Sequence, residues 1–322
     1  MDDDVTDVLG EDWTARTLTL RPDTDALRTG VDPVATLVGL RDVDPARTAV
    51  LYVHGFVDYF FHTHLGAPFA QAGYQLYALD LRDCGRSIRA GRTPMTTTNL
   101  SAYVEEIDLA VRALRRTHPK VVLLGHSAGG LVTSLWADAR PGALDGLVLN
   151  SPWLDLRGSW FDRTVLTAVM DLLGAVAPQT VVARLDPAYG QALHRDTGGE
   201  WDYDLTWKPH ADAVVRAGFV RTVRHGQARV ARGLWVDCPV LVLASDASGP
   251  DKGRHDALLT TDSVLDVRHM KALAPRLGTD VTFVEVPGGA HDLALSPSPA
   301  REDYVARVLE FLDARVGTAG RG

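Results

Sequence analysis

Two cysteines in 322 residues, Cys84 and Cys238, are too few for a disulfide framework or a thiolate metal cluster. So little cysteine fits a reducing compartment, and the cytoplasm is the expected location. Positive charge is also in deficit: 33 Lys and Arg stand against 41 Asp and Glu, a formal net charge of -8. That balance lacks the cationic footprint a nucleic-acid partner requires. No apolar run is long enough to span a bilayer as a helix, so no transmembrane segment is expected. The acidic start, Met1-Asp2-Asp3-Asp4, has neither the basic region nor the apolar core of a secretory signal. Internal repeats, low-complexity tracts and patterns that set an oligomeric state are missing as well.

What is present is an ordinary globular composition, 46% hydrophobic, in a chain long enough for one large domain with an insertion or for two small ones. Residues 1–12 read as a solvated acidic lead-in. Thr14–Leu20 and Val34–Leu40 read as strands joined in a hairpin across a turn-rich stretch. Four short apolar runs, Thr48–Val53, Tyr74–Asp80, Val121–Leu124 and Gly146–Ser151, then alternate with helical patterns over 65–73, 99–118 and 131–140. Continuously apolar strands separated by helices predict a mostly parallel sheet covered on both faces. The rhythm stops at Pro152. From Trp153 to about Trp235 no buried strand is evident, and helical patterns over 163–176 and 211–231 predict a mainly helical insertion. Strands resume at Pro239–Ala244 and Val281–Val286, with helices over 268–277 and 301–316.

Within this framework one stretch carries chemistry. The apolar run 121–124 enters Gly125-His126-Ser127-Ala128-Gly129, and a helix follows. Gly-x-Ser-x-Gly between a strand and a helix is the context of a nucleophile elbow, a sharp turn that presents its serine above the sheet. A serine hydroxyl needs a base to take its proton, and the base needs an orienting carboxylate. His291, in Pro287-Gly288-Gly289-Ala290-His291-Asp292 after the last strand, suits the base. Five carboxylates follow the Leu241–Ala244 strand: Asp246, Asp251, Asp256, Asp262 and Asp266. Position alone does not choose among them. A developing oxyanion needs two main-chain donors. Ala128, next to the serine, is one, and Phe56, in His54-Gly55-Phe56 after the Thr48–Val53 strand, is the other.

These motifs resemble the α/β-hydrolase superfamily, and within it the branch of monoacylglycerol lipases, lysophospholipases and serine aminopeptidases. The resemblance rests on His54-Gly55 after a strand, on Tyr74–Arg82 leading to Gly85-Arg86-Ser87, on the elbow, and on Gly289-Ala290-His291-Asp292. It implies an α/β-hydrolase fold, a mostly parallel sheet of about eight strands with helices on both faces. Residues 1–152 and 237–322 would form its core, and 153–236 a mainly helical cap. In that branch the acid opens a segment like Asp262-Ser263-Val264-Leu265-Asp266, which favours Asp262. The loop from Ser245 to Thr261 is longer than usual there and leaves Asp246 as runner-up. A cap would roof the elbow, with Trp153, Trp160, Trp201 and Trp207, and also Phe161, Leu166, Met170 and Phe219, available to line an apolar pocket.

The expected activity is hydrolysis of carboxylic esters, either monoacylglycerol- or lysophospholipid-like or small acyl esters, with an apolar acyl group, through an acyl-enzyme on Ser127 and without a cofactor or metal. An aminopeptidase or amidase, for which Asp202, Asp204 or Asp212 would have to hold the substrate amine, an acyltransferase with the same triad, and a non-catalytic binding protein are the alternatives. His62-Thr63-His64 lacks a third ligand and reads as surface or cap-contact histidines. Asp83 and Arg86 read as organisers of a loop, and Cys84 as a structural thiol.

Overall fold

A computed structural model describes residues 4–95, 97–157, 160–211 and 213–318. In chain order the elements are β1 (Val5–Asp7), β2 (Gly10–Thr19), α1 (Thr24–Thr29), β3 (Val34–Leu40), β4 (Thr48–Val53), α2 (Gly66–Gln71), β5 (Tyr74–Asp80), α3 (Tyr103–Arg115), β6 (Val121–His126), α4 (Ala128–Asp138) and β7 (Gly146–Asn150). After β7 come α5 (Trp160–Val176), β8 (Val181–Arg184), α6 (Ala188–Leu193), β9 (Val214–Arg216) and α7 (Ala217–Arg232). The chain closes with β10 (Val240–Ser245), α8 (Val267–Leu273), β11 (Val281–Val286) and α9 (Ala300–Arg315).

The main sheet runs β1-β2-β3-β5-β4-β6-β7-β10-β11. From β5 to β11 every pairing is parallel, and β1, β2, β3 and β5 pair antiparallel. Strands β4, β5, β6, β7 and β10 are buried along their whole length, as their unbroken apolar runs require when both faces are covered. On one face Leu51, Leu123 and Val242 pack with Ile107 of α3 and Leu131 and Trp136 of α4. On the other, Tyr52, Leu124 and Leu243 pack with Phe69 of α2 and Tyr304 and Val308 of α9.

The sheet has nine strands rather than eight, because the expected lead-in contributes β1. Only its last residue is buried, so no apolar run announces it. It is held instead by a bidentate ion pair from Arg86 Nε and Nη2 to the Asp7 carboxylate, at 2.6 and 2.8 Å. The β2–β3 pairing is antiparallel as expected, with α1 inside the turn-rich connection.

Between β7 and β10 the helices α5 and α7 pack through Met170, Ala217 and Val220. Strands β8 and β9 form a small antiparallel pair. Both are largely or half exposed, so no buried apolar run marks them in the sequence.

The parallel strands all end on one side, where ligands meet open α/β sheets. The loops leaving β4, β6, β7, β10 and β11 there carry Phe56, Ser127, Trp153, Asp262 and His291 in turn.

Candidate active site

Ser127 sits between β6 and α4 with φ 51° and ψ -116°, a left-handed conformation costly for a side chain with a Cβ. Close packing over-determines it. A Cβ on Gly129 would lie 2.3 Å from the carbonyl oxygen of His54 and 2.4 Å from that of Val53, so only glycine lets α4 start against the end of β4. Main-chain bonds clamp the turn: Ser127 N–H donates to Asn150 O at 3.0 Å, and Trp153 N–H donates to Ser127 O at 3.0 Å.

Ser127 Oγ lies 3.0 Å from His291 Nε2, and His291 Nδ1 lies 3.0 Å from Asp262 Oδ2. All three side chains are buried or nearly so. The other carboxylate oxygen of Asp262 accepts from the N–H groups of Val264 and Leu265 at 2.9 and 2.7 Å. With Nδ1–H donating to that carboxylate, Nε2 presents a lone pair to the serine hydroxyl. Asp246 is exposed, and its side chain accepts from Gly288 N–H. Asp266 caps α8 and pairs with Arg268. Of the five carboxylates, Asp262 is the one that the fold brings to His291.

The loop after β4 lies against the elbow, where a Cβ on Gly55 would be 3.2 Å from Ser127 Cβ. Leu81 N–H donates to His54 Nε2 at 3.0 Å, which leaves Nδ1–H to donate to Gly55 O at 2.7 Å. Gly55 C=O and Phe56 N–H belong to one peptide plane and point opposite ways. The His54 ring therefore sets the direction of the Phe56 N–H. Val57, next in line, is β-branched yet held at φ 54°. Ala128 opens α4, so its N–H is one of those a helix start leaves without an intrahelical acceptor.

Behind His291 lies a buried polar cluster that the sequence motifs do not announce. Asp292 accepts from Asn150 Nδ2 at 2.8 Å and from His62 Nε2 at 2.9 Å. Burial opposes its charge, yet His126, His62 and Lys208 together hold its carboxyl well below the usual carboxylate range. Asp58 is likewise held low against burial, chiefly by Lys208, whose Nζ is 2.6 Å away. Burial pushes the His126 imidazole down to about 4. Ligand atoms of Asp58, His126 and Asp292 lie within 4.8 Å of one another, but both carboxylates already have these internal partners.

His62 is fully buried, a correction to its reading as a surface or cap-contact residue, while the His64 ring is tilted against Trp201 at 4.5 Å. Arg86 pairs with Asp7 and Asp80, and Asp83 with Arg92, which fastens the loop after β5. The Cys84 thiol is buried and pushed well up by that burial.

The aromatic residues divide. Phe56 stacks on Phe219 of α7 at 4.2 Å, and Trp153 tilts against the same ring at 6.2 Å. Trp201 donates its Nε1–H to Leu295 O, and Trp207 meets Tyr59 edge-on, so both fasten the stretch after α6 to the core. Met170 packs between α5 and α7. The side chains of Trp160, Phe161 and Leu166 lie outside the described residues, as does Asp212. Tyr189 of α6 stands edge-on to His291 at 6.1 Å, and its hydroxyl accepts from Asp292 N–H. No helix among the described residues is long and apolar enough to cross a membrane.

Comparison with known proteins gives the family and the fold. The family described as serine aminopeptidase, S33, matches residues 44–297. A monoacylglycerol lipase of Mycolicibacterium smegmatis is 28% identical over 262 residues, covering 80% of this chain and 85% of that protein. The monoacylglycerol lipase of Paleococcus ferrophilus superposes with a TM-score of 0.64 at 22% identity, over 83% of this chain and 94% of that one. A soluble variant of the Saccharomyces cerevisiae monoglyceride lipase, in complex with a substrate analog, gives 0.67 at 15% identity, over 88% and 92%. At those identities the two structures speak for the fold, which is that of the α/β-hydrolases.

Proposed function

The chain belongs to the serine aminopeptidase, S33, family of α/β-hydrolases, and from that premise we propose that it hydrolyses carboxylic esters with Ser127 as nucleophile, His291 as general base and Asp262 as its orienting acid. The observation that carries the reading is the continuous relay, 3.0 Å from Ser127 Oγ to His291 Nε2 and 3.0 Å from His291 Nδ1 to Asp262 Oδ2.

Ser127 Oγ attacks the carbonyl carbon as its proton passes to His291 Nε2. The imidazolium that forms is stabilised by Asp262. The carbonyl oxygen becomes an oxyanion facing the N–H groups of Phe56 and Ala128. Collapse expels the alcohol, which leaves with the proton from His291. Water then attacks the acyl-enzyme, again giving a proton to His291, and Ser127 departs with it. Water supplies both the hydroxyl of the acid product and the alcohol's proton, so no cofactor enters the balance.

An apolar acyl group is supported by the Phe56, Phe219 and Trp153 rings beside the oxyanion loop, and by relatives named as monoacylglycerol lipases. The helical stretch 153–236 would then act as the cap. An amine-recognising site is less well supported: Asp202 is paired with Arg195, Asp204 with the Thr206 hydroxyl, and Asp58 with Lys208.

The test is a fluorophosphonate probe together with p-nitrophenyl esters of increasing chain length and aminoacyl amides. Native protein should label, prefer esters, and lose both properties in Ser127→Ala. Labelling that persists in that variant would move the nucleophile elsewhere, and a preference for amides would replace the ester reading.

A further inference from the structure

Ser127 and His291 are delivered by strands that do not touch. Ser127 follows β6 and His291 follows β11, and β7 and β10 lie between them in the sheet. Their 3.0 Å approach therefore needs a tie across the strand ends, and one buried residue makes it.

Asn150, the last residue of β7, is fully buried. Its main-chain carbonyl holds the elbow, accepting from Ser127 N–H at 3.0 Å and from His126 Nδ1 at 3.2 Å. Its side chain holds the other loop: Nδ2–H donates to Asp292 Oδ1 at 2.8 Å, and Oδ1 accepts from Leu293 N–H at 3.2 Å. The residues so held are the two that follow His291. Asp292 is fixed in turn by His62 Nε2 at 2.9 Å, and its Oδ1 also accepts from Ala294 N–H at 3.1 Å. A planar amide supplies one donor and one acceptor side by side, and here it meets a carboxylate and a main-chain N–H. Aspartate at 150 would turn a second carboxylate toward Asp292 where both side chains are buried.

We propose that Asn150, acting through Asp292, is a positioning residue that sets the register of His291 against Ser127, an inference that rests on the ester-hydrolase reading above. It touches neither substrate nor the reacting atoms. Its effect should fall on the chemical step, because a displacement of about 1 Å between reacting groups costs about 100-fold in rate.

The experiment compares Asn150→Ala, Asn150→Ser, Asn150→Asp and the exchange Asn150→Asp/Asp292→Asn with native protein. The measurements are kcat and KM on p-nitrophenyl butyrate, fluorophosphonate labelling rate, and circular dichroism of the fold. Asn150→Ala should lower kcat about 10- to 100-fold with KM within about twofold, and slow labelling in parallel. Serine keeps a smaller hydrogen-bonding group and should lose less, and it decides the matter if the alanine variant does not fold. Asn150→Asp should be the poorest single variant. The exchange, which restores one amide facing one carboxylate, should regain about tenfold over it. Folded variants that keep native kcat, or a loss confined to KM, or an exchange no better than Asn150→Asp, would overturn the role of Asn150. A native protein that neither labels nor cleaves esters would instead count against the reading on which it rests.

Discussion

Asp262 directs one carboxylate oxygen to His291 Nδ1 at 3.0 Å and gives the other to the N–H groups of Val264 and Leu265. The turn before α8 thus fixes the carboxylate, and the carboxylate fixes the ring. Asp246, nearer the end of β10, stays in solvent and accepts from Gly288 N–H.

Replacing Asp262 by Asn keeps the shape but gives the imidazole a partner that no longer enforces the tautomer with its lone pair toward serine. We expect kcat on p-nitrophenyl butyrate to fall about 10³- to 10⁴-fold in Asp262→Asn. Asp246→Asn should stay within about twofold. The opposite pattern would exchange the two roles.

Much of this arrangement is legible in the residues, because the constraints involved are local. Gly125 and Gly129 around a serine, between a strand and a helix, describe a turn whose geometry permits little else. The apolar runs of β4, β5, β6, β7 and β10 are continuous because both faces of the sheet are covered. Choosing Asp262 among five carboxylates is a different kind of problem, since its burial and its bonds to Val264 and Leu265 exist only in the folded loop. Asn150 and His62 are harder still. Nothing near Leu149-Asn150-Ser151 marks a polar residue that must answer a carboxylate 142 positions later. Strand β1 stays hidden for the same reason, since its anchor Arg86 is 79 positions from Asp7.

The His54 ring, pinned by Leu81 N–H, holds Gly55 C=O and so aims the Phe56 N–H. Without the ring the Gly55–Phe56 peptide can rotate, and the proposed oxyanion site loses one donor for part of the time. His54→Ala should lower kcat about 10- to 100-fold, less than the loss of a donor outright, with little change in KM. Affinity for a boronic-acid transition-state analogue should fall by a similar factor. An unchanged kcat would show that the peptide is held without the ring.

Lys208 and Asp58 join the stretch after α6 to the loop after β4 by a 2.6 Å ion pair, with Asp58 almost fully buried. Removing only the cation leaves a buried carboxylate with, among the described residues, Tyr59 N–H as its remaining donor. Lys208→Met should therefore cost about 2–3 kcal/mol in urea unfolding. Asp58→Asn/Lys208→Met should recover much of that, because the stranded charge is gone. A single variant as stable as native protein would mean that solvent already screens the pair.

Acid should weaken the fold above the range in which ordinary, solvated carboxylates titrate. Burial lowers His64 and His126 to about 4, and lowers His118 and His210 in the same direction, from a value of 6.5. Between those limits the unfolded chain binds protons that the native state refuses, so unfolding free energy rises with pH and is lost as pH falls from about 6.5 toward 4. Asp58 and Asp292 act elsewhere: their carboxyls are held below the ordinary 3.8, and their contribution is lost only below that value. Urea denaturation at steps between pH 7 and 4.5 reads these histidines together with Glu106, whose carboxyl burial raises to about 7 and which therefore acts with the opposite sign in this window. Each fully refused proton contributes a slope of about 1.4 kcal/mol per pH unit. His64→Gln, which removes one such group from outside the Ser127–His291–Asp262 relay, should reduce the slope by somewhat less than that amount, since His64 is not fully enclosed. A slope identical to that of native protein would mean that His64 keeps access to water and titrates in the folded state as it does in the unfolded one.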